Sequence, residues 1–583
     1  MQILRGLLTE LCEEKVMKHI AWLTENTPRR LSGTGDDKKA AQYICDKMSE
    51  YGLETRLLGF ETYNSTPMRS ELKVLHPVGL VIQSLPCGHI LSTLPEGMTT
   101  DLVYVGPGSF EDYEGKDVRG KAVLVEVSYA PPTPEKARIA VMKGASAMIC
   151  TNWGEDQDVI CNRALKAVWG TPTLQNVNEI PKIVGLSISR KAGEFLKKLC
   201  CENPYVKVLI KAESLNKWEK LVQPLAILRG KEKSESFLLV SGHLDAWEPG
   251  VTCNATGNGV MLELARAFSK YRQSLLRNIY FVFWNGHEIA EAAGSTWFVD
   301  NYWDLLRDHC IGYFNIDSPG MKGGVRYEAV ASRELNGFVK KALREVLDEE
   351  PGVSDLRKIG DQSFLGIGIP SISGRMALSP ENIKKNHGAT LGWWNHTIED
   401  TLDKVDSTNL KKDLMADAAM ILGLVNAEIL PYDFSTTAEA IKQNLLHFHS
   451  HSGDLIELKN LIEQVDRLSH RIEELNALRE KISSSSQNGN QEKDINMTLM
   501  KLSRILTSPF QTHCSPYEQD SYGLTILSKP IPLLYPVMNL KGMDPSQSEY
   551  ILLLTTLIKN RNRVSDAINQ ALECIEATIY KCN

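Results

Sequence analysis

The 583-residue sequence contains no run of about 18 apolar residues, the length a membrane-spanning helix needs. Its opening, Met1-Gln-Ile-Leu-Arg-Gly-Leu-Leu-Thr-Glu, turns charged before any long apolar core develops. We therefore expect neither a signal peptide nor membrane contact. Excess positive charge is missing too: 65 Lys and Arg stand against 72 Asp and Glu, a net charge of −7. That balance argues against a general nucleic-acid or membrane-surface binder. There is no CxxC among the twelve cysteines, which are scattered apart from Cys200-Cys201. Such usage points to reduced thiols in the cytoplasm rather than a disulfide framework. The glycine-rich loop Gly250 to Gly259 has neither G-x-G-x-x-G spacing nor a Lys-Ser or Lys-Thr, which excludes a nucleotide-phosphate loop. What remains is ordinary globular composition, 43% hydrophobic and 23% charged, in a length that suits about three to four domains.

The informative stretch runs from Phe237 to Gly320. Phe237-Leu-Leu-Val-Ser241 is a short apolar run ending in Gly242-His243-Leu244-Asp245. Val260 to Phe268 then repeats its apolar residues at helical spacing. Asn278 to Trp284 is a second apolar run, ending in Asn285-Gly286-His287-Glu288, and Ile311 to Ile316 is a third, ending in Asp317. Strands alternating with helices predict βαβ units in a mostly parallel sheet. Ligands bind such sheets at the carboxyl ends of the strands, where His243, Asp245, His287, Glu288 and Asp317 all fall. Histidine and carboxylate clustered there are zinc-ligand chemistry. Asp245, two residues past His243, is expected on the same side of an extended segment, accepting the other imidazole N–H. A single buried histidine is more often a hydrogen-bonded core residue; several at one sheet edge favour a metal site.

Four motifs in order carry a resemblance. They are Gly242-His243-Leu244-Asp245-Ala246-Trp247; Trp284 to Glu288 with Gly294-Ser295-Thr296; Tyr313 to Ser318; and His396-Thr397 with Asp400-Thr401. Over most of residues 20–430 the sequence resembles the co-catalytic zinc exopeptidases of the aminopeptidase, glutamate carboxypeptidase II and transferrin receptor type. The resemblance implies that His243 and Asp317 hold one zinc, and Glu288 and His396 the other. Two positions depart from the family pattern. Cys253 stands where the family has an Asp bridging both metals, and His287 where it has the Glu that acts as general base.

Three readings stay open. Cys253 is a thiolate ligand and His287 the base; or the chemistry has changed, with one metal or with Cys253 as a nucleophile paired to His287; or the site is inactive and the chain is a dimeric binding protein. Cysteine is one bond shorter than aspartate and offers one donor atom rather than two.

The rest of the chain divides by character. Residues 1–94 read as two helical stretches and a strand, Glu54 to Phe60, with Asp36 or Asp37 capping the helix Lys38 to Tyr51. Residues 95–195 are short strands punctuated by Gly and Pro, resembling the protease-associated insert of that family. Its usual role is to cover the cleft, and Asn152, Trp153 and Trp169 are candidates to reach it. Residues 196–430 hold the metal site. In them Arg375, following a strand, suits a substrate carboxylate, and Gln362 stands where many family members carry a substrate-contacting His. Residues 431–583 are helical, with a long helix from Leu455 to Ile482 and a flexible linker at Ser483 to Gln491. By resemblance this region makes a homodimer. His447, His449 and His451 read as a polar surface cluster, since only the outer two share a helical face.

The expected fold is α/β: a mostly parallel mixed sheet with helices on both faces, an inserted β-rich segment and a helical C-terminal domain. The expected activity is metal-dependent hydrolysis of a peptide or small amide. His243, Cys253, Glu288, Asp317 and His396 hold zinc, as one or two ions, and His287 and Asp245 assist the reaction.

Overall fold

A computed structural model describes residues 2–582 apart from 156, 232–233, 357, 359, 485–488 and 522–528. Four strands at its centre are parallel neighbours, in the order Asn278–Trp284, Phe237–His243, Cys310–Asn315 and Ser371–Leu378. Their registers bring the carboxyl ends level: Trp284 lies opposite His243, and Asn315 opposite both Ser241 and Ser373. The first three are buried along their whole length, as continuous apolar runs in a sheet covered on both faces must be.

Alternate side chains feed two cores. Leu238, Val240, Ile279, Phe281 and Phe283 join one core with the helices Glu13–Asn26, Thr256–Ser269 and Ser407–Val425. Phe237, Leu239, Tyr280, Val282 and Trp284 join the other, with Phe298 and Leu306 of the helices Ala293–Asn301 and Trp303–His309. Thr256–Ser269 packs so closely on Glu13–Asn26 that a Cβ on Gly259 would sit 3.1 Å from the Val16 carbonyl oxygen.

A long antiparallel ribbon, Glu54–His76 with Lys207–Leu228, joins this sheet to a second parallel group. Near one end it pairs with Asn278–Trp284, and near the other with Met98–Gly106. Met98–Gly106, Ala122–Glu126, Ala147–Thr151 and Val184–Ile188 then run parallel over their own core. The sequence reading ended the first ribbon strand at Phe60. Asn64-Ser65-Thr66-Pro67 break its apolar alternation, yet the pairing continues through them and slips register between Pro67 and Arg69. A proline at an irregularity leaves the ladder tolerable.

Other expectations change in detail. The helix is Asp36–Glu50, and its N-cap is Gly35, not Asp36 or Asp37. Asp37 lies inside the first turn, where its carboxylate accepts the N–H groups of Gly33 and Gly35. Arg375 lies within the strand Ser371–Leu378 rather than after it. The C-terminal region is helical, with Phe434–Ser452, Lys459–Ser483, Gly489–Gln511 and Ser548–Cys582. The expected linker shrinks, because Ser483 ends one helix and Gly489 starts the next; residues 485–488 lie outside the described residues. Among the described residues no helix is long and apolar enough to cross a membrane.

His19 anchors the N-terminal helix pair. Its imidazole sits between the hydroxyls of Tyr43, at 2.7 Å, and Tyr51, at 3.1 Å. Burial, with Lys47 nearby, pulls its pKa down to about 4. The unfolded chain therefore binds the proton first, near pH 6.5, and stability falls as pH drops from there toward 4. The full effect is about 3 kcal/mol at one proton and 1.36 kcal/mol per unit. His19→Gln should remove that slope from urea midpoints measured between pH 4 and 7; an unchanged slope refutes the assignment.

Candidate metal centre

The strand ends and the loops around them bring five ligand-type side chains to one largely buried point. His243 ends the strand Phe237–His243, and Asp317 lies two residues past Asn315. Glu288 is in the loop before Ala293–Asn301, Cys253 in the turn before Thr256–Ser269, and His396 in a later loop. Cys253 Sγ lies 3.5 Å from His243 Nε2, 3.5 Å from Glu288 Oε1 and 3.8 Å from His396 Nε2. His243 Nε2 is 3.6 Å from Asp317 Oδ1, and His396 Nε2 is 3.1 Å from Glu288 Oε2.

Two sets of three result, His243–Cys253–Asp317 and Cys253–Glu288–His396, each with its ligand atoms within 4.8 Å of one another. Zinc bonds of about 2.0–2.1 Å to N or O and 2.3 Å to S put tetrahedral neighbours about 3.3–3.6 Å apart. The observed spacings are close to those edges, so each donor set fits a zinc-sized cation.

The charges call for the same thing. Burial, with Glu288 and Asp317 beside it, pushes the Cys253 thiol well above its ordinary pKa. Burial also works against the Glu288 carboxylate, but His396, His243 and His287 bring it down to about 2. Asp317 is likewise held low against its burial by the hydrogen bond and charge of His243 and by Arg375. A cation reverses the position of the thiol, because a coordinating thiol is deprotonated outright.

The supports are as ordered as the ligands. His243 Nδ1 lies 2.7 Å from the main-chain oxygen of Asp245, which fixes the proton on Nδ1 and leaves Nε2 as the donor lone pair. This corrects the role expected for Asp245, whose carboxylate does not meet His243. The strand ends at His243, so the two-residue alternation stops there. The carboxylate instead accepts the N–H groups of His287 and Glu288, both at 3.0 Å, and the Ser32 hydroxyl at 2.8 Å. Asp400 holds Cys253 in the same way, taking the N–H groups of Thr252 and Cys253 and the Thr252 hydroxyl. Arg30 braces that turn by donating to the carbonyls of Pro249 and Gly250. Among the described residues, four of the seven non-glycine positive φ angles belong to Glu291, Ala292, Ser318 and His396. Strain of this kind gathers at functional sites.

His287 is not among the ligand sets. Its ring stacks on His243 with centroids 4.0 Å apart, and its Nδ1 lies 3.0 Å from Asp361 Oδ2, off the line of a good hydrogen bond. Burial opposes charge on this imidazole, but Asp361, with Glu288 and Asp245, outweighs it and raises the pKa. Asp361 was missed by sequence reasoning. Its neighbour Gln362 drew attention by motif position, yet Gln362 is buried and lines no part of the cavity described next.

A cavity of about 80 Å³ adjoins the centre. His287, Glu288, His396 and Trp247 form one wall, and Tyr129, Pro132, Trp153 and Arg163 of the second parallel group form the other. Trp153 therefore reaches the cleft. Asn152 does not: its amide is spent on the Val159 carbonyl and the Trp153 N–H. Trp169 turns away to donate to Ser363 Oγ at 2.9 Å. Arg375 donates to the Asp317 main-chain oxygen at 3.1 Å, close to the ligands but outside the cavity wall. Of the three histidines on Phe434–Ser452, His451 contacts the Met538 carbonyl and none belongs to a ligand set.

Residues 225–420 match the family described as Peptidase family M28, and residues 98–196 match the PA domain. The chain carries a family M28 peptidase domain and a PA domain. It is 22% identical over 337 residues to a probable glutamate carboxypeptidase, LAMP1, of Arabidopsis thaliana, covering 52% of this chain and 47% of that protein. It is 26% identical over 307 residues to aminopeptidase YwaD of Bacillus subtilis (52% and 60%), and 22% identical over 317 to human transferrin receptor protein 2 (48% and 37%). The chain thus spans about half the length of the curated relatives it matches. In fold it is similar to a family M28 peptidase precursor from Shewanella amazonensis, with TM-score 0.60 and 16% identity over 74% of this chain and 96% of that one. It is also similar to a zinc aminopeptidase from Bacillus subtilis, with TM-score 0.55 and 21% identity over 72% and 96%.

If the Asp245 carboxylate orients the M28 site loop, Asp245→Asn should weaken zinc binding by about 10- to 100-fold. Competition with a chromophoric chelator measures this. An unchanged affinity would mean that Asp245 only packs.

Proposed function

We propose that the chain is a metal-dependent hydrolase of peptide or other amide bonds, of exopeptidase type, with zinc as its metal. The observation that carries this is the sharing of Cys253 Sγ by two ligand triads at one sheet edge. His243 and Asp317 would hold one ion, Glu288 and His396 the other, and Cys253 would serve both. Bound there, zinc supplies a Lewis acid for the scissile carbonyl and acidifies water.

The protein's own groups have separable tasks. Asp361 lies against His287 Nδ1, so Nε2 is the nitrogen left to exchange a proton: the neutral ring would accept one from water, and the imidazolium that Asp361 and Glu288 favour would give it to the leaving amine. The stack on His243 fixes the plane of the ring. Trp247, Trp153 and Tyr129 narrow the cavity and limit the water that enters. The reading of Cys253 as a nucleophile has less support, because the sulfur touches His243, Glu288 and His396 and is held as a thiol by burial and two carboxylates. We further propose a cytoplasmic homodimer. The twelve unpaired cysteines support a reducing compartment, and exposed Ile551 and Leu552 on Ser548–Cys582 support pairing through the helical region.

X-ray absorption at the zinc edge, with metal counting, tests the centre. We expect two ions per chain and one sulfur scatterer near 2.3 Å, with both the sulfur signal and one ion lost in Cys253→Ala. A purified protein that takes up no transition metal overturns the reading. For the proton carrier, His287→Ala should lower kcat on an amino-acid p-nitroanilide by about 10²- to 10⁴-fold at unchanged zinc content. His287→Glu, which restores the carboxylate common in the family, should keep activity. An undiminished kcat in His287→Ala would remove His287 from the reaction.

A further inference from the structure

Glu291 has no part in the ligand sets or in the His287–Asp361 pair, yet its side chain lines the same cavity. The residue is only 8% exposed. Among the described residues no hydrogen bond or ion pair takes its carboxylate; only its main-chain oxygen is engaged, by the Gly170 N–H at 2.6 Å. A buried carboxylate without a partner is costly, and this one is presented at the expense of backbone strain. Glu291 and Ala292 both adopt left-handed conformations, at φ 50° and 60°, which L-residues other than Asn and Asp rarely adopt.

The surrounding frame keeps the loop in that shape. Lys166 of the PA-domain side donates to the carbonyls of Gly170 and Ala290, both at 2.6 Å. A Cβ on Gly170 would collide with Thr296, and one on Gly88 with Ile289. The Lys166 ammonium is therefore committed to the carbonyls of Gly170 and Ala290, and among the described residues it forms no contact ion pair with Glu291. The other charged groups near the carboxylate are Glu288, His287 and Arg163, whose guanidinium lies 4.4 Å over the Trp153 ring. Burial pushes the Glu291 carboxyl up to about 8, with Lys166 and His287 pulling against it, so a cationic partner in the cavity is what would hold it ionised at neutral pH.

We propose that Glu291 is a specificity carboxylate that receives a cationic group of the substrate, an ammonium or guanidinium, inside the cavity beside the metal centre. This rests on the hydrolase reading only in taking the cavity as the substrate site. The cation comes from one of two sources, the free α-amine of the substrate or a lysine- or arginine-like side chain. Either one gives the strained carboxylate the charge-assisted hydrogen bond that the protein leaves unmade.

Calorimetry on the intact, zinc-loaded protein tests this with four probes: lysinamide, norleucinamide and the Nα-acetyl form of each. Glu291→Gln keeps the shape and removes the charge. Binding of the cation-bearing probes should weaken by about 10- to 100-fold, the weight of a hydrogen bond to a charged group, while Nα-acetylnorleucinamide is unaffected. Weakening of lysinamide and Nα-acetyl-lysinamide alone assigns the side-chain cation. Weakening of lysinamide and norleucinamide alone assigns the α-ammonium. Glu291→Asp, which keeps the charge on a shorter stem, should weaken the same probes less, and it serves if the Gln variant does not fold. Failure of the wild-type protein to bind any probe overturns the proposal. So does equal binding of all four, or uniform weakening with a lowered Tm, which would make Glu291 a structural counter-charge to Lys166. Selective binding without hydrolysis of any amide would sink the hydrolase reading and leave Glu291 as a cation receptor.

Discussion

A carboxylate, a thiol and an imidazole within 4 Å of one another in a largely buried site call for positive charge among them. That constraint governs the centre of this molecule. Glu288 and Asp317 both lie against Cys253 or its histidine neighbours, and all are largely buried. The histidines supply part of the positive charge and hold the two carboxylates ionised. They cannot ionise the thiol, which burial and those same carboxylates push the other way. A divalent cation resolves all three demands at once, since it favours the thiolate, accepts the carboxylates and needs neutral imidazoles.

Holding such a cluster open takes a frame that does not relax. The parallel strands provide level ends, but the aim of each side chain comes from the loops beyond them. Asp245 gathers the N–H groups of His287 and Glu288, and Asp400 gathers those of Thr252 and Cys253. Each carboxylate serves as a substitute helix cap for a loop that has no ladder partner. Ser32 reaches from the N-terminal segment to Asp245, and Asn285 donates to Asp37 in the first turn of Asp36–Glu50. The N-terminal residues are thus part of the frame around the ligand cluster, although they lie some 200 positions from the loops they steady.

The fold was legible where periodicity and burial agree. Phe237 to Ser241, Asn278 to Trp284 and Ile311 to Ile316 are apolar enough to be strands in no other setting, and ligand types at their ends follow from how parallel sheets terminate. The ribbon strand past Phe60 was not legible, because its stability comes from a partner about 150 residues away rather than from its own Asn, Ser, Thr and Pro. In the site, residues on strand ends could be placed from periodicity, whereas Cys253 and His396, which arrive from loops, could be placed only through the motif resemblance. Asp361 comes from an irregular stretch after Gly352–Asp355, where no repeat sets its direction. Asp245 was placed near the right atoms with the wrong contact, since the alternation used to aim it ends two residues earlier. Glu291 carried no signal of its own: it becomes visible only when its carboxylate is seen to have no partner.

Cysteine at the shared position changes more than the identity of one ligand. A carboxylate spanning two ions spreads its charge over two oxygens, so each ion meets its own donor atom. Cys253 offers one sulfur, and that sulfur is 3.5 Å from His243 Nε2 of one set and 3.5 Å from Glu288 Oε1 of the other. Both sets would therefore share one donor atom, and the negative charge that a thiolate gives one ion would be divided with the second. Asp400 bears on this directly, because its carboxylate takes the Cys253 N–H and adds negative charge behind the sulfur. The neutral or cationic imidazole at 287 acts in the opposite sense, replacing a third acidic neighbour by a base that Asp361 steadies. A thiol and an imidazole at these two positions, rather than carboxylates, keep the number of readily ionised acids in a crowded buried site low, and Glu288 and Asp317 would meet the metal charge that a thiolate does not.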